Sequence, residues 1–464
     1  MDKAIQATPS RWASRARPVR IAARATEIPA RVRWALLLFV FSVPIESITL
    51  SEDITITKAF GYVFLASVLT CPRLFRLRFS PAAWWFLGYL TFVFVSGALL
   101  PREFLRQFAT NFLTLIQLGV VFIILSNVLR DKILARKVLL TFAIAVCILA
   151  LGSLLGFSGF STGVRKVTPG RGTVLEYGAN YAAVLMAMAA VILIGLRLDA
   201  TAQPLWQKIL LPVLTLLPLG LLVYTTSRSG AAAFIIGASL YLLPYRASRR
   251  KMLAILLGMA AVIGMVYVVA SHPIFSERWQ KAYYEGNLSS RDKIWSAAIE
   301  MISEKPFLGW QPVISEYETD WRLGSWGRRA AHSLYFQLLL EVGVIGAIPF
   351  LIGLALCARA AWKARAGVLG MLPLALLATM VAYNMALSGT KHKPLWIFLG
   401  LIIAAGSSAA QREKVRAAAM LFRRRAGGTG ELKVAPVLTE MVIFLGVLMV
   451  GFFYAWDNGA LEWQ

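Results

Sequence analysis

The most marked deficit in this sequence is charge. Only 15% of the 464 residues are charged, whereas 58% are hydrophobic. A soluble globular domain carries about 25% charged and about 45–50% apolar residues, and so few charges could not cover an apolar core of this size. The composition therefore excludes a large soluble protein. It also excludes intrinsic disorder, because the chain has far too much apolar surface to bury. What remains is a polytopic membrane protein.

Cysteine and histidine are scarce as well. The sequence has three cysteines, Cys71, Cys147 and Cys357. Their odd number and wide spacing predict free thiols rather than disulfides. The three histidines form no cluster with these cysteines, so a structural zinc site is not expected.

Motifs of nucleotide-driven and metal-dependent proteins are missing. The sequence contains no Walker A, GxGxxG, HExxH or EF-hand pattern, and ATP-driven transport is therefore not expected. Acidic residues are nearly absent from the long apolar runs, which argues against a carboxylate proton relay. The runs also show no convincing inverted repeats with paired broken helices, a pattern typical of secondary transporters.

Apolar runs of about 17–25 residues, the length that crosses the hydrocarbon core, predict the transmembrane helices. We place twelve of them near residues 33–50, 55–70, 82–100, 105–128, 136–157, 177–197, 208–225, 229–245, 252–271, 333–357, 368–388 and 394–410. The sequence thus predicts an all-α polytopic membrane protein of about twelve spans.

These spans divide the chain into six predicted segments. They are a basic cytoplasmic segment at 1–32, nine spans within 33–271, one long outer loop with short helices at 272–332, three spans within 333–410, a second basic cytoplasmic segment at 411–436, and a possible additional span at 437–456. The last run comes after a basic stretch, and we interpret it as an addition to a twelve-span core.

Lysine and arginine in the loops predict the orientation. The first 33 residues contain eight of them, so we expect the N-terminus to stay in the cytoplasm. Counting alternate loops then places the basic turns at 246–251 and 423–425 inside and the long loop outside. Most of the net charge of +25 is explained as positive-inside charge, and a nucleic-acid partner is not expected.

The basic residues of the outer side allow two interpretations. Several stand at helix ends, at the depth of lipid headgroups, and one of them is Lys391. Basic pockets at that depth bind anionic headgroups or phosphates. Alternatively, these residues are solvated loop charges that pair with the acidic residues of the long loop.

A short polar turn around Arg228 is the first candidate site. The sequence Thr225-Thr226-Ser227-Arg228-Ser229-Gly230 separates two apolar runs and leaves almost no loop. An arginine near membrane depth costs about 2.5–3.5 kcal/mol unless it is paired or hydrated, and such residues are functional candidates. Ser227 and Ser229 can cap the next helix, whose N-terminus adds positive partial charge. The turn predicts an anion site, although a snorkelling arginine in a tight hairpin would give the same pattern.

A helix in the long loop provides the second candidate. Ser289-Ser290-Arg291-Asp292 is typical of a helix start, and Pro306 predicts its end. Ile294, Ala298, Ile299 and Ile302 form an apolar stripe at helical spacing. Arg291 and Trp295 share another face. A cation in the first turn is electrostatically unfavourable, which favours a ligand-binding role over a plain surface charge. The many tryptophans and tyrosines of this loop either lie at the membrane interface or stack on sugar rings.

His332 is the candidate general base. His272, His332 and His392 all fall on the predicted outer side, and His332 immediately precedes the tenth span. Partial desolvation at a helix start lowers the pKa of an imidazole and suits a general base. A loop or capping histidine without catalytic function is the alternative, and His392, between Lys391 and Lys393, is the second candidate.

In their order and spacing, four outer motifs resemble those of the O-antigen ligase and polymerase superfamily. The motifs are Gly170-Arg171-Gly172 followed by Asn180; Thr225 to Gly230; Arg291, Asp292 and Trp295 followed by Pro306 and Gly309; and His332 and Leu334 followed by Glu341, Gly343 and Gly346. They span roughly residues 165–350. The sequence departs from the family pattern at Ser333, where asparagine is common, and at Ala179, where proline is common.

The resemblance implies a membrane glycosyltransferase of the GT-C-like class. It implies an O-antigen ligase that transfers O-antigen polysaccharide from undecaprenyl diphosphate to the lipid A–core oligosaccharide at the periplasmic face of the inner membrane. By this resemblance His332 is the general base, Arg228 and Arg291 bind the diphosphate, and Arg171, Asn180, Trp295 and Lys391 contact substrates. The reaction would invert the anomeric configuration, and we expect a monomer that needs no cofactor.

Three alternatives stay open at this point. A polymerase or a protein O-oligosaccharyltransferase of the same superfamily would use the same donor chemistry with another acceptor. A flippase or transporter of lipid-linked oligosaccharides would also need a cationic cavity, but it would not need a base beside it.

We predict that glycan transfer by the purified protein persists in EDTA and without ATP. The outer side of the sequence has no carboxylate or histidine cluster with metal-ligand spacing, and a diphosphate-linked donor carries its own leaving group. The measurement is transfer to the acceptor by purified protein with and without chelator. A strict requirement for Mg²⁺ or Mn²⁺ would contradict the prediction.

Overall fold

The computed structural model describes residues 28–50, 54–71, 77–156, 178–198, 205–242, 267 and 291–425. Regular structure in these ranges is helical, apart from an isolated bridge between Thr49 and Thr55. The α-helices are α1 (Ala30–Ser42), α2 (Ile56–Leu69), α3 (Pro81–Ala98), α4 (Arg102–Val128), α5 (Lys132–Leu154), α6 (Ala179–Leu198), α7 (Leu205–Tyr224), α8 (Arg228–Ser239), α9 (Arg291–Glu304), α10 (Ile314–Arg322), α11 (Leu334–Ala364), α12 (Leu372–Asn384) and α13 (Lys393–Arg425). Short 3₁₀ turns follow α1 and α8.

Seven of the described helices are long and apolar enough to cross a membrane: α3, α4, α5, α6, α7, α11 and α13. Helices α2 and α12 are apolar but shorter. The chain is therefore a multi-pass membrane protein, as the composition predicted. The predicted span at 437–456 and, apart from residue 267, the predicted span at 252–271 lie outside the described residues.

Local capping signals explain where several helices begin. The side chains of Thr55, Ser80 and Asp131 accept hydrogen bonds from backbone N–H groups in the first turns of α2, α3 and α5. These residue types satisfy the amides that a helix start leaves without partners. The three cysteines are free, as predicted, and all three are buried.

An aromatic cluster ties four helices together. The ring centroids of Phe86 on α3 and Phe122 on α4 lie 5.2 Å apart, those of Phe86 and Phe350 on α11 lie 5.5 Å apart, and those of Phe86 and Trp396 on α13 lie 5.3 Å apart. All four rings are buried, and tilted or edge-on ring pairs of this kind add to the stabilisation from burial. Helix α6, rich in alanine, is buried along most of its length.

Helix α9 is described from Arg291 to Glu304 and ends shortly before Pro306, as the sequence predicted. The predicted start signal at Ser289 and Ser290 lies outside the described residues. Its buried face consists of Ile294, Ala297, Ala298 and Met301. The prediction that Ile299 belongs to the apolar face was wrong, because Ile299 is 37% exposed. Met301 completes the i, i+3, i+4, i+7 spacing from Ile294, and this spacing turns Ile299 away from the core.

Helix α11 is broken at Gly343, whose φ of 61° and ψ of −170° are not helical. The break removes the intrahelical partners of the amides that follow. The loop after α9 replaces them, since the N–H of Val344 donates to the carbonyl of Pro306 at 2.8 Å and the N–H of Ile345 donates to that of Phe307 at 3.2 Å. Backbone groups inside a membrane must find such partners, because lipid provides none.

The same loop also provides a hydrogen-bond donor for a backbone carbonyl on the other side of the break. The N–H of Trp310 donates to the carbonyl of Leu340 at 2.6 Å. Gly309 and Gly343 touch backbone to backbone: a Cβ on Gly309 would lie 2.6 Å from the nitrogen of Gly343. A Cβ on Gly343 would lie 2.3 Å from the carbonyl of Phe307. Backbone hydrogen bonds and close contact therefore fix the Pro-x-x-Gly segment of the long loop to the Glu-x-Gly segment of a membrane-spanning helix.

We predict that Gly343→Ala destabilises the protein by at least about 3 kcal/mol, because left-handed strain adds to the loss of backbone hydrogen bonds. Gly324→Ala is the matched control: Gly324 also has a positive φ, of 75°, but its Cβ position is open. This control isolates the backbone strain and should cost about 1–2 kcal/mol. Thermal unfolding in detergent measures both, and equal losses would contradict the account of α11.

Candidate functional site

The turn between α7 and α8 forms one wall of the site. Thr226 adopts a left-handed conformation, with a φ of 48°. The hydroxyl of Ser227 accepts a hydrogen bond from the N–H of Gly230, at 3.3 Å, and so caps α8 as predicted. The same hydroxyl donates to Oδ1 of Asn180, at 3.0 Å. The starts of α6 and α8 are thereby joined, and Arg228 is the first residue of α8.

Arg228 and Arg291 share one region of the molecule. Arg291 is the first residue of α9, is half-buried, and donates from Nη2 to the carbonyl of Ala386, beyond the end of α12, at 3.1 Å. Burial lowers the pKa of Arg291, and the positive charge of Arg228 lowers it further. Arginine nevertheless remains protonated in proteins. Two guanidinium groups thus stand close enough to repel each other, an arrangement that a bound anion would relieve.

Other arginines of the long loop are neutralised by carboxylates. The pairs are Arg322 with Glu304 at 2.7 Å and with Glu318 at 2.9 Å, Arg328 with Glu316 at 3.0 Å, and Arg329 with Asp320 at 2.8 Å. For these three arginines the solvated ion-pair interpretation holds. Within the described ranges, no ion pair includes Arg291.

His332 stands between α9 and α11 in a left-handed conformation, with a φ of 50°. Its side chain is exposed at the surface, yet the surrounding protein still removes enough water to lower its pKa from the ordinary value of 6.5. The positive charges of Arg291 and Arg329 lower this pKa further. The imidazole is therefore neutral at pH 7, the form that accepts a proton.

The other predicted binding residues contact different parts of the site around Arg228, Arg291 and His332. Asn180 holds the Arg228 turn through Ser227. Trp295 donates its indole N–H to the carbonyl of Ala331, at 3.0 Å, and so contacts the residue before His332. Lys391 is half-buried in the turn before α13, where its charge acts on Glu341 and His392. Arg171 lies outside the described residues.

Sequence reasoning missed an aromatic pair formed at the start of α6. The rings of Tyr181 and His392 meet edge to face, with centroids 4.6 Å apart. Burial lowers the pKa of His392 to about 4, and the charge of Lys391 contributes to this shift. The available signals were the position of Tyr181, next to the predicted Asn180, and the position of His392 between two lysines. Nothing in the sequence pairs residues 181 and 392.

These contacts bring five described helix starts into one region, which we call the cationic end. It comprises the first residues of α6, α8, α9, α11 and α13 together with the end of α12. Helix N-termini carry partial positive charge and unpaired N–H groups. Added to two arginines, they make the cationic end suited to binding an anion such as a diphosphate. Among the described residues, no group of three or more His, Cys, Asp or Glu side chains could hold a metal ion.

Residues 213–351, which contain Arg228, Arg291 and His332, match the family model described as O-Antigen ligase. This match confirms the resemblance to the O-antigen ligase superfamily. A chain from the solved structure "Structural coordination of polymerization and crosslinking by a peptidoglycan synthase complex" superposes with a TM-score of 0.40 and 15% identity, covering 71% of this chain and 98% of that one. A likeness of this size carries no argument about function.

The C-terminal segment resembles a different family. Residues 417–463 match the model described as NADH-ubiquinone/plastoquinone oxidoreductase, chain 3. An NADH-quinone oxidoreductase subunit of Clostridium beijerinckii is 63% identical over 27 residues, and the same protein of Carboxydothermus hydrogenoformans is 64% identical over 25 residues. These matches cover 6% and 5% of this chain and only 23% and 21% of the relatives. The segment that the sequence set apart as an addition is thus similar to another protein over a short stretch.

We predict that Arg329→Gln raises the pKa of His332, because it removes one of the two positive charges that lower it. In the unaltered protein the imidazole should titrate below 6.5. Histidine-selective NMR of labelled protein in detergent, assigned with a His332→Gln variant, measures the midpoint. Arg328→Gln is the control and should leave the midpoint unchanged, since the arginines that lower the pKa of His332 are Arg291 and Arg329. Equal midpoints in all three proteins would show that Arg329 does not act on His332.

Proposed function

We propose that this chain is an O-antigen ligase that transfers O-antigen polysaccharide from undecaprenyl diphosphate to the lipid A–core oligosaccharide at the periplasmic face of the inner membrane. The observation that carries the proposal is the grouping of Arg228, Arg291 and His332. The charge of Arg228 acts on Arg291, and the charge of Arg291 acts on His332. All three lie within the region that matches the O-antigen ligase model.

In this proposal the arginines hold the donor. The diphosphate carries the developing negative charge when the bond to the anomeric carbon breaks, and charge-assisted hydrogen bonds from guanidinium groups stabilise it. Arg228, at the start of α8, adds the partial positive charge of that helix. Repulsion between the two guanidinium groups falls when the anion binds, because its negative charge lies between them.

His332 takes the proton of the acceptor. A sugar hydroxyl of the lipid A–core oligosaccharide attacks the anomeric carbon on the face opposite the diphosphate, which inverts the configuration. The hydroxyl proton passes to the imidazole, which is neutral because desolvation and two arginines lower its pKa. After transfer, the proton leaves to water and undecaprenyl diphosphate is released.

Arg228→Lys and Arg291→Lys should each impair transfer severely, because a lysine ammonium cannot reproduce the bidentate contact of a guanidinium with phosphate. The measurement is the initial rate of transfer by purified protein at matched expression and stability. Arg328→Lys is the control and should keep the full rate, since Arg328 pairs with Glu316. Full activity in both Arg228→Lys and Arg291→Lys would remove the arginines from the donor site.

His332→Ala should leave the fold intact but lower the transfer rate by about 10²–10⁴-fold, the usual contribution of a general base. Binding of the lipid-linked donor should persist, whereas a flippase would not need the imidazole.

Lipopolysaccharide banding in a strain without this gene separates the ligase from its relatives. Rough core with accumulated carrier-linked polymer supports the ligase, core with one repeat supports a polymerase, and unchanged lipopolysaccharide with altered glycoproteins supports a protein O-oligosaccharyltransferase.

A further inference from the structure

Side chains bind both backbone polar groups of the residue that precedes His332. Ala331 is fully buried. Its carbonyl accepts the indole N–H of Trp295 at 3.0 Å. Its N–H donates to Oε1 of Gln337 at 2.9 Å. One partner belongs to α9 and the other to α11, so the segment carrying His332 is held from two sides.

The amide of Gln337 is itself oriented by a buried carboxyl group. Gln337 Nε2 donates to Oε1 of Glu341, one helical turn further along α11, at 2.7 Å. Gln337 is 3% exposed and Glu341 is 5% exposed. Because Nε2 of Gln337 donates to Glu341, the amide oxygen of Gln337 is the atom that faces the N–H of Ala331. The charge of Lys391 acts on Glu341 from the turn before α13.

An ionisable residue inside a membrane-spanning helix is expensive and calls for a reason. The proposed transfer reaction, as set out above, uses neither Gln337 nor Glu341. We infer that these two residues form a clamp that fixes Ala331 and thereby presents the His332 imidazole to the acceptor hydroxyl. Gln337 and Glu341 are positioning residues, and Trp295 acts from the opposite side as a third. The inference rests on the proposed function, in which His332 is the base.

The clamp accounts for the left-handed backbone conformation of His332. A non-glycine residue with a φ of 50° persists only where its surroundings over-determine it. No side-chain hydrogen bond caps α11 at Ser333. The bonds to Trp295 and Gln337 supply the constraint on one side of His332, and the N–H of Gln337, which donates to the carbonyl of Ser333 at 2.9 Å, supplies it on the other.

Exchanging the two clamp residues tests the inference. Gln337→Leu removes the acceptor for Ala331, and Gln337→Glu sets two carboxyl groups against each other. The double variant Gln337→Glu with Glu341→Gln restores the pattern, because the carboxylate introduced at 337 can accept from Ala331 and from the amide introduced at 341. Trp295→Phe keeps the ring but removes its N–H from the Ala331 carbonyl.

We expect Gln337→Leu and Gln337→Glu to lower kcat by about 10–10²-fold, since small misplacements of a catalytic group have effects of this size. KM for the lipid-linked donor should stay within about twofold, because the clamp does not touch the donor. The exchanged double variant should recover most of the lost kcat. A double variant that folds but stays as slow as the single variants would overturn the inference, as would wild-type kcat in Gln337→Leu.

A second measurement does not depend on transfer activity. Carbethoxylation of His332 by diethyl pyrocarbonate, followed by peptide mass spectrometry, reports how the exposed imidazole is presented. Its rate should change in Gln337→Leu and Trp295→Phe and return in the exchanged double variant. If wild-type protein transfers no glycan, the proposed function fails, while these rates still decide the clamp. If Gln337→Leu does not fold, the carbethoxylation rates of Trp295→Phe and of the double variant test the clamp. Unchanged carbethoxylation rates in both Gln337→Leu and Trp295→Phe would refute the clamp.

Discussion

A broken membrane helix organises this site. Helix α11 leaves its helical path at Gly343, and the loop from Pro306 to Trp310 provides hydrogen-bond partners on both sides of the break. Lipid cannot solvate backbone groups, so this exchange of partners fixes the loop at a set depth. Helix α9 precedes the loop directly. Its residues Arg291 and Trp295 are therefore held against the end of α12 and against the segment before His332.

The arginines in and around the cationic end fall into two groups that differ in their partners. Carboxylates of α9 and α10 hold Arg322, Arg328 and Arg329 in ion pairs. Arg291 instead uses a backbone carbonyl and feels the charge of Arg228. The pKa of the neighbouring His332 imidazole is lowered first by desolvation and then by the positive charges of Arg291 and Arg329. An anionic leaving group on one side and a neutral base on the other are what inverting transfer from a diphosphate requires.

The sequence predicted the parts of the site that depend on local signals. Ser227 caps α8, and α9 ends just before Pro306, because caps and stop signals act within one helical turn. Contacts between distant segments carry no such signal. Those of Trp295 with Ala331 and of Tyr181 with His392 became visible only in the fold. Trp295 shows the difference most clearly: the family resemblance predicted a substrate contact for it, and only the fold shows that its N–H also binds the backbone carbonyl of Ala331.

A structure determined with the lipid-linked donor would test the central claim most directly, namely that one anion site and one base share the cationic end. The account predicts diphosphate oxygens about 2.7–2.9 Å from guanidinium nitrogens of both Arg228 and Arg291. It also predicts the anomeric carbon between the diphosphate and His332, with room for an acceptor hydroxyl about 2.6–3.2 Å from the imidazole. A donor bound with its diphosphate away from both arginines, or with His332 on the leaving-group side, would contradict it.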